Sequence, residues 1–244
     1  MRMRKKKNGE ARLLACNEII FEKPNSPMTD PASYMGKSGK AIFLEIGAGK
    51  GGFACEMARR NPEACYFAME RVSDCVVIAA EAALRTKDER ADNLTFIVDT
   101  ADNLTDIFAP GTVDRIFLNF SDPWSKKGYA KRRLTHRRYL SLYFNLLRDG
   151  GTITFKTDNV GLFDFSLEEI EAMGLTPDVV TRDLHSSEWN EGNVMTEYEK
   201  AFSSQGIKIN MLSVTKPSGF AVAVPSEFSA QRERFSKKAE RADD

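Results

Sequence analysis

The sequence predicts an α/β protein whose doubly wound, mostly parallel sheet has an antiparallel edge. Short apolar runs alternate with helical segments of about 10–15 residues, which is the pattern of strand–helix–strand crossover units. The first apolar run ends in a cluster of glycines, where the backbone can turn tightly. In the last third of the chain, helices no longer separate all the strand-like runs. We therefore expect antiparallel strands to be added at one edge of the sheet.

The individual elements follow from apolar runs and from the residues that end them. Strands are predicted at residues 41–46, 66–69, 94–98, 113–118 and 152–156. Helices are predicted at residues 53–60, 74–85, 138–147 and 162–173. Breakers such as Asn61-Pro62 and Gly174 follow these helices. The runs expected at the antiparallel edge are residues 179–180, 207–214 and 220–224.

We expect one domain with an extension at each end. Residues 1–39 have a basic start and several prolines, so a loosely structured N-terminal extension is predicted there. Residues 40–225 form the domain, and residues 226–244 are a charged C-terminal tail. No apolar run is long enough for a transmembrane helix. No apolar core follows the basic start, as it would in a signal peptide.

Charge and cysteine content restrict the class of protein. The formal net charge is +0, which argues against a protein that coats nucleic acid indiscriminately. The four cysteines lack metal-site spacing such as C-x-x-C, so no metal is expected. Free thiols indicate a reducing compartment, and we predict a cytoplasmic protein without a membrane partner. The cysteines are Cys16, Cys55, Cys65 and Cys75.

The turn after the first strand predicts a ligand site. It runs Glu45-Ile46-Gly47-Ala48-Gly49-Lys50-Gly51-Gly52. No G-K-[ST] follows, which excludes a P-loop, and the spacing is not G-x-G-x-x-G. Glu70 ends the second strand, 23 residues after Gly47, where a carboxylate reaches ribose hydroxyls. Two acids repel phosphates and favour a cationic ligand with a ribose, which points to S-adenosylmethionine. The alternative is that both acids only pair with lysines.

A polar segment after the third strand is the predicted adenine contact. Asp99-Thr100-Ala101-Asp102 lies where folds of this type hold an adenine ring. A side chain there would accept a hydrogen bond from the adenine amino group. The spacing does not decide which residue does so, and acids at such positions are also frequent turn formers.

The fourth strand ends at a fixed carboxylate that is followed by a cationic loop. Asp122 precedes Pro123-Trp124, and seven Lys/Arg lie between Ser121 and Arg138 against this one acid. Because Gly128 interrupts the charges, we interpret the segment as a polyanion-binding loop rather than a solvated helix face. Trp124 either stacks on a base or covers the end of the sheet. The cations are Lys126, Lys127, Lys131, Arg132, Arg133, Arg137 and Arg138.

Four motifs, in this order, resemble the bacterial-type tRNA (guanine-N7)-methyltransferases: LEIGAGKGGF, LNFSDPWSKKGYAKRRL, FKTDN and MTEYE. The resemblance spans roughly residues 40–205. It implies a Rossmann-like class I methyltransferase fold with a seven-stranded sheet, S-adenosylmethionine as methyl donor, and a guanine in the tRNA variable loop as acceptor.

The resemblance also assigns residues. Thr100 stands where the family usually has an aspartate, with Asp99 one residue earlier, so the adenine contact is a departure from the pattern. The implied donor-binding residues are Glu45, Gly47, Gly49, Glu70, Thr100 and Asp122. The implied tRNA-binding residues are Lys126, Asp158, Thr196, Glu197, Tyr198 and Glu199.

Guanine N7 carries a lone pair and no proton, so its methylation needs no general base. His136 and His185 are accordingly not assigned as bases. The enzyme must align the methyl group with N7 and stabilise the positive charge that develops on the ring. Asp122, made rigid by Pro123, is the predicted catalytic residue. Glu199 or Asp158 would accept hydrogen bonds from N1–H and the 2-amino group of the guanine.

Three other functions fit the sequence less well. Methyltransferases acting on exocyclic amines have [N/D/S]-P-P-[Y/F/W] at this strand end, whereas Asp122 stands where the first proline belongs. The glycine spacing does not match an NAD-dependent dehydrogenase. A non-catalytic RNA-binding protein would not need Glu45, Glu70 and Asp122 together. The sequence leaves a monomer and a homodimer equally open.

Overall fold

The structure, a computed structural model, describes residues 8–85, 91–226 and 228, and a seven-stranded sheet lies at its centre. The strands are β1 (Ala41–Ile46), β2 (Ala64–Glu70), β3 (Leu94–Val98), β4 (Val113–Asn119), β5 (Leu147–Thr157), β6 (Val179–Thr181) and β7 (Asn210–Thr215). Their order in the sheet is β3-β2-β1-β4-β5-β7-β6. The first five strands in this order pair in parallel, and β7 is antiparallel to both β5 and β6. This confirms the predicted parallel sheet with an antiparallel edge.

Helices cover both faces of the sheet, because successive residues of each strand point to opposite faces. The helices within the described ranges are α1 (Gly9–Leu14), α2 (Gly52–Arg60), α3 (Ser73–Arg85), α4 (Arg137–Leu146), α5 (Val160–Glu171) and α6 (Glu197–Ser203). None of them is long and apolar enough to cross a membrane. Phe43 of β1 belongs to an apolar cluster with α2 and α3, and Leu44 to a second cluster with α4 and α5.

The strand order places a switch point between β1 and β4. The chain winds outwards from β1 through β2 to β3, then returns to β4 on the other side of β1. In open α/β sheets, ligands bind at the carboxyl ends of the strands next to such a switch point. The glycine turn after β1 and the Asp122 loop after β4 therefore lie side by side at one end of the sheet.

Residues 8–39 are more ordered than the expected loose extension. They contain α1 and two short 3₁₀ turns, Asn17–Ile19 and Pro31–Met35. Phe21 N donates to Phe96 O at 2.8 Å, so this segment pairs with the outer side of β3. An uncovered strand edge invites pairing with another chain, which explains why these residues lie against it. The basic start, residues 1–7, lies outside the described residues.

Several expected boundaries were wrong at the antiparallel edge. The run expected at residues 220–224 forms no strand, because β7 already pairs with β5 on one side and β6 on the other. Phe220 and Val222 pack instead against the main apolar cluster. β7 begins at Asn210 rather than at residue 207. Of the charged tail, only Ser226 and Phe228 lie within the described residues.

Candidate active site

The glycine turn after β1 is shaped by backbone conformation on one side and by packing on the other. Gly47 and Gly49 have φ of 86° and 56°, in the left-handed region that other residues avoid. A Cβ atom added to either would meet nothing within 4 Å, so the space beside them is open. A Cβ atom on Gly51 would lie 2.8 Å from that of Ala79. The turn therefore leaves room for a ligand close to Gly47 and Gly49.

Glu70 holds its carboxylate against this turn. Its Oε2 accepts from Gly49 N at 3.1 Å, and its Oε1 accepts from Val72 N at 2.9 Å. The two backbone donors fix the carboxylate at the end of β2, and its contact with a ribose stays a prediction.

Glu45 is almost fully buried at the end of β1, with 2% of its surface exposed. Its Oε1 accepts from Asn119 Nδ2 at 3.0 Å. Its Oε2 has no close hydrogen-bond partner among the described residues, although the buried Tyr66 hydroxyl interacts with the carboxyl group. Burial raises the pKa of Glu45 to about 7, although the Asn119 hydrogen bond, the charge of Lys156 and the Tyr66 hydroxyl act in the opposite direction. A buried carboxylate oxygen without a close hydrogen bond is suited to a cationic ligand.

A buried ion pair connects β5 to α6. Lys156 Nζ donates to Glu199 Oε2 at 2.6 Å, and the two side chains are 3% and 0% exposed. Glu199 Oε1 lies 2.9 Å from His185 Nε2 and accepts from Asn193 Nδ2 at 2.7 Å. Burial by itself raises the pKa of Glu199, but Lys156, His185 and Asn193 outweigh it and hold the pKa below its usual range.

Glu199 is turned inwards in this arrangement. Both of its carboxylate oxygens are bound by protein groups and the side chain is fully buried, so they are not open to a guanine edge in this structure. It also completes a capping box: Glu199 N donates to Thr196 Oγ1 at 3.0 Å, and Thr196 N donates to Glu199 Oε2. The T-x-x-E pattern is the sequence signature of such a helix start, and it was the signal for α6 that we missed. Glu199 positions the first turn of α6.

The other residues of that turn remain accessible. Tyr198 is 61% exposed. The Glu197 carboxylate lies 3.8 Å from Lys50 Nζ of the glycine turn. Asp158 is half-buried after β5, just before Asn159 caps α5. The roles in tRNA binding stay predictions for all six assigned residues, which are Lys126, Asp158, Thr196, Glu197, Tyr198 and Glu199.

The loop after β4 holds Asp122 at the mouth of the site. Phe120, before Asp122, and Trp124, after it, both have left-handed backbone conformations, with φ of 51° and 40°. Such backbone is costly and is found where a loop is held by its surroundings. Arg133 helps to stabilise this loop, since its guanidinium donates to Pro123 O at 2.9 Å and to Trp124 O at 3.2 Å. The Asp122 carboxylate is exposed, 3.6 Å from Arg71 Nη2.

The seven cations of the loop divide into partnered and exposed groups. Arg137 pairs with Glu169 at 2.9 Å and Arg138 with Asp102 at 2.7 Å. Arg132 lies 5.0 Å over the Trp124 ring and 4.7 Å over that of Tyr129. Three lysines, at positions 126, 127 and 131, are exposed. An open cleft of about 370 Å³ is lined by Asp122, Pro123, Trp124, Ser125, Lys126 and Tyr129.

The segment after β3 is held by its own hydrogen bonds. Asp99 Oδ1 accepts from Thr100 N and from Asn103 Nδ2, both at 2.7 Å. Asp102 is engaged with Arg138 and with Tyr139 OH at 3.0 Å, so it supports α4. The contact of an adenine with Thr100 or Asp99 stays a prediction.

Both histidines bind other protein groups. His136 Nδ1 accepts from Arg138 N at 3.1 Å and caps α4, and burial lowers the pKa of His136. His185 bonds to Glu199. In the part of the chain that the structure describes, no group of three or more His, Cys, Asp or Glu is placed to hold a metal ion.

The fold and the site together define a class I methyltransferase. A family model described as "Putative methyltransferase" matches residues 39–212. Two solved structures share the fold: the 16S rRNA methyltransferase KamB, with a TM-score of 0.59 and 13% identity over 81% of this chain and 97% of that one, and an antibiotic-related methyltransferase, with a TM-score of 0.56 and 15% identity over 80% and 98%.

Sequence relatives narrow the class. The tRNA (guanine-N(7)-)-methyltransferase of Bacillus subtilis (strain 168) is 42% identical over 196 residues, covering 78% of this chain and 90% of the relative. The protein of that name from Lachnoclostridium phytofermentans is 43% identical over 204 residues, covering 84% and 94%. The chain belongs to the tRNA (guanine-N7)-methyltransferase family, which confirms the resemblance found in its motifs.

Proposed function

We propose that the protein transfers a methyl group from S-adenosylmethionine to N7 of a guanine in the variable loop of tRNA, forming N7-methylguanosine. One observation carries the proposal. A glycine turn flanked by Glu45 and Glu70 lies beside Asp122, which begins a cationic loop, at the switch point of the sheet. The names of the two bacterial relatives support tRNA as substrate and N7 of guanine as acceptor atom.

The residues around the turn fit S-adenosylmethionine. The buried oxygen of Glu45 without a close hydrogen bond suits a cationic group, and the fixed carboxylate of Glu70 suits two ribose hydroxyls. The open space beside Gly47 and Gly49 allows close approach. Thr100 or Asp99 would contact the adenine. When bound, the donor supplies a methyl group on a positively charged sulfur.

For the acceptor, the protein orients a base and stabilises positive charge; it removes no proton. Asp122 is the catalytic residue in this proposal. Its carboxylate lies at the mouth of the site, on a loop that Pro123 and Arg133 hold in place. A fixed negative charge next to the ring favours the cationic product over the neutral base. The engagement of both histidines by other groups agrees with a reaction that needs no general base.

For the tRNA, the exposed lysines 126, 127 and 131 provide phosphate contacts. Such contacts offset the few kcal/mol that unstacking a base costs. Asp158, half-buried at the end of β5, is the remaining carboxylate suited to the guanine edge. We further propose residues 40–225 as the catalytic domain, residues 1–39 and 226–244 as extensions, and the cytoplasm as the site of action.

Methylation of unmodified tRNA transcripts with isotopically labelled S-adenosylmethionine tests this proposal. After digestion to nucleosides, the label is expected in N7-methylguanosine. Label in N6-methyladenosine or N4-methylcytidine would instead indicate a methyltransferase of exocyclic amines. Calorimetry that detected no binding of S-adenosylmethionine would favour a non-catalytic RNA-binding protein.

A further inference from the structure

The first turn of α6 lies at the end of the sheet, where it contacts both the glycine turn after β1 and β5. Glu197 reaches the glycine turn through Lys50, and Glu199 is locked to Lys156 of β5. Between these two anchors, Tyr198 extends outwards and its ring stacks on that of Phe120 at 6.4 Å between centroids and 24° between planes. Tyr198 therefore lies next to both the glycine turn after β1 and the loop that carries Asp122.

Three aromatic rings form a near-parallel group at this point. Phe202 stacks on Phe120 at 6.1 Å and 28°, and on Tyr198 at 6.3 Å and 25°. Phe120 and Phe202 also pack against a small apolar cluster that contains Leu184 and Ile209. The two inner rings are thus fixed by the protein, whereas Tyr198 keeps 61% of its surface exposed.

The position of this group favours a nucleobase as its occupant. Phe120 precedes Asp122 by two residues, and its left-handed backbone, φ 51°, turns the chain between the strand and the catalytic carboxylate. A base brought to Asp122 must leave its stack in the RNA, and enzymes that displace bases restack them on aromatic side chains. The rings of Phe120 and Tyr198 lie next to both Asp122 and the glycine turn after β1, so they offer a surface on which a displaced base can stack.

Two other aromatic rings near Asp122, Trp124 and Tyr129, are less suited. They meet edge to face, with centroids 5.9 Å apart. The Arg132 guanidinium lies over both rings. On those ring faces, a base could stack only after displacing this cation.

We propose that Tyr198 and Phe120 form the stacking platform on which the target guanine rests while Asp122 faces it. The inference rests on the proposed function and deepens it, because it assigns Phe120 a role in binding and gives the Tyr198 ring a defined contact.

Steady-state kinetics with unmodified tRNA provide the first test. Tyr198→Leu is expected to raise KM for tRNA about tenfold, equivalent to about 1.4 kcal/mol, without changing the Kd of S-adenosylmethionine or the melting temperature. Tyr198→Phe keeps the ring and should restore most of the tRNA affinity that is lost in Tyr198→Leu. Trp189→Leu, which removes another exposed aromatic (46% exposed), should leave KM unchanged.

Photocrosslinking gives a readout that does not depend on a variant folding well. A tRNA with 6-thioguanosine at the methylated position is bound to the wild-type protein, irradiated, and the crosslinked peptide is mapped by mass spectrometry. A crosslink to Tyr198 or Phe120 is expected. A crosslink to Trp124 or Tyr129, or an unchanged KM in Tyr198→Leu, would overturn the platform. A wild-type protein that forms no N7-methylguanosine would overturn the proposed function instead.

Discussion

Individual carboxylates at the end of the sheet differ in role because they differ in burial. Glu45 is enclosed, hydrogen-bonded on one oxygen, and its pKa is raised to about 7. Glu199 is enclosed too, but Lys156 holds its pKa below the usual range. Asp122 is exposed on a fixed loop. In the proposed function, the same functional group thus serves as a contact for a cationic ligand at Glu45 and as a catalytic charge at Asp122, whereas at Glu199 it is part of a buried ion pair.

The state of Glu45 predicts how donor binding depends on pH. In the free protein, Glu45 gains a proton as the pH falls through about 7, and the protonated form attracts a cation less well. The affinity for S-adenosylmethionine should therefore decrease below that pH, by at most about tenfold per pH unit. Calorimetric titration across this range measures it. Glu45→Gln keeps the acceptor for Asn119 but cannot ionise, so its affinity should be lower and nearly independent of pH; an unchanged pH profile in this variant would refute the assignment.

The same raised pKa has a consequence for stability. Since folded Glu45 holds its proton more tightly than the unfolded chain does, its contribution to the free energy of unfolding decreases as the pH rises from about 4.5 to about 7. Urea denaturation at several pH values should show this decrease in the wild type. It should be smaller in Glu45→Gln, and an equal decrease in both proteins would point to other groups.

Asp122 should affect the rate much more than the stability. Asp122→Asn is expected to lower kcat by about 10²-fold, the usual cost of removing one electrostatic group from a transition state. The melting temperature should not change, because the contact with Arg71 is exposed. A variant with wild-type kcat would remove Asp122 from the catalytic role.

At the scale of elements, α6 is the part of the site that depends most on tertiary contacts. It has seven residues, and helices this short are marginal without tertiary support. The support comes from Lys156 of β5, 43 residues away in sequence from Glu199. We therefore expect the position of Tyr198 on this helix to depend on the buried pair.

Breaking the pair should therefore be costly. Lys156→Met leaves the Glu199 carboxylate buried without its cation, and we expect the free energy of unfolding to fall by about 3–5 kcal/mol. Lys50→Met breaks only the exposed contact with Glu197 and should cost about 0–1 kcal/mol. Urea denaturation of both variants makes the comparison. Equal losses would show that the buried pair does not anchor α6.

At the scale of the whole molecule, the sequence predicted what depends on local pattern. The parallel strands, the glycine turn and the four family motifs all lie in contiguous segments. The partners of the cationic loop could not be predicted, because Glu169 and Asp102 lie 32 and 36 residues from Arg137 and Arg138. The burial of Glu199 was missed for the same reason: its T-x-x-E motif indicates a helix start, but only the fold brings Lys156 and His185 against it.

Some cations of the loop after β4 are exposed and others are paired with carboxylates, and this difference predicts how tRNA binding depends on salt. Replacing Lys126, Lys127 and Lys131 by alanine should reduce the slope of log K against log salt, by about one unit for each phosphate that is no longer neutralised. Arg137→Ala should leave the slope unchanged, since Arg137 is paired with Glu169. Filter binding at several salt concentrations measures both. A slope that is unchanged in the lysine variant would show that the loop does not bind phosphate.

The most direct test of the proposed reaction uses two tRNAs that differ at one ring position of one base. One carries guanosine at the methylated position of the variable loop, and the other carries 7-deazaguanosine, in which a C–H group replaces N7. Transfer of labelled methyl from S-adenosylmethionine is measured for both. We expect methylation of the first tRNA and none of the second. Equal methylation of the two would contradict N7 of this guanine as the acceptor atom.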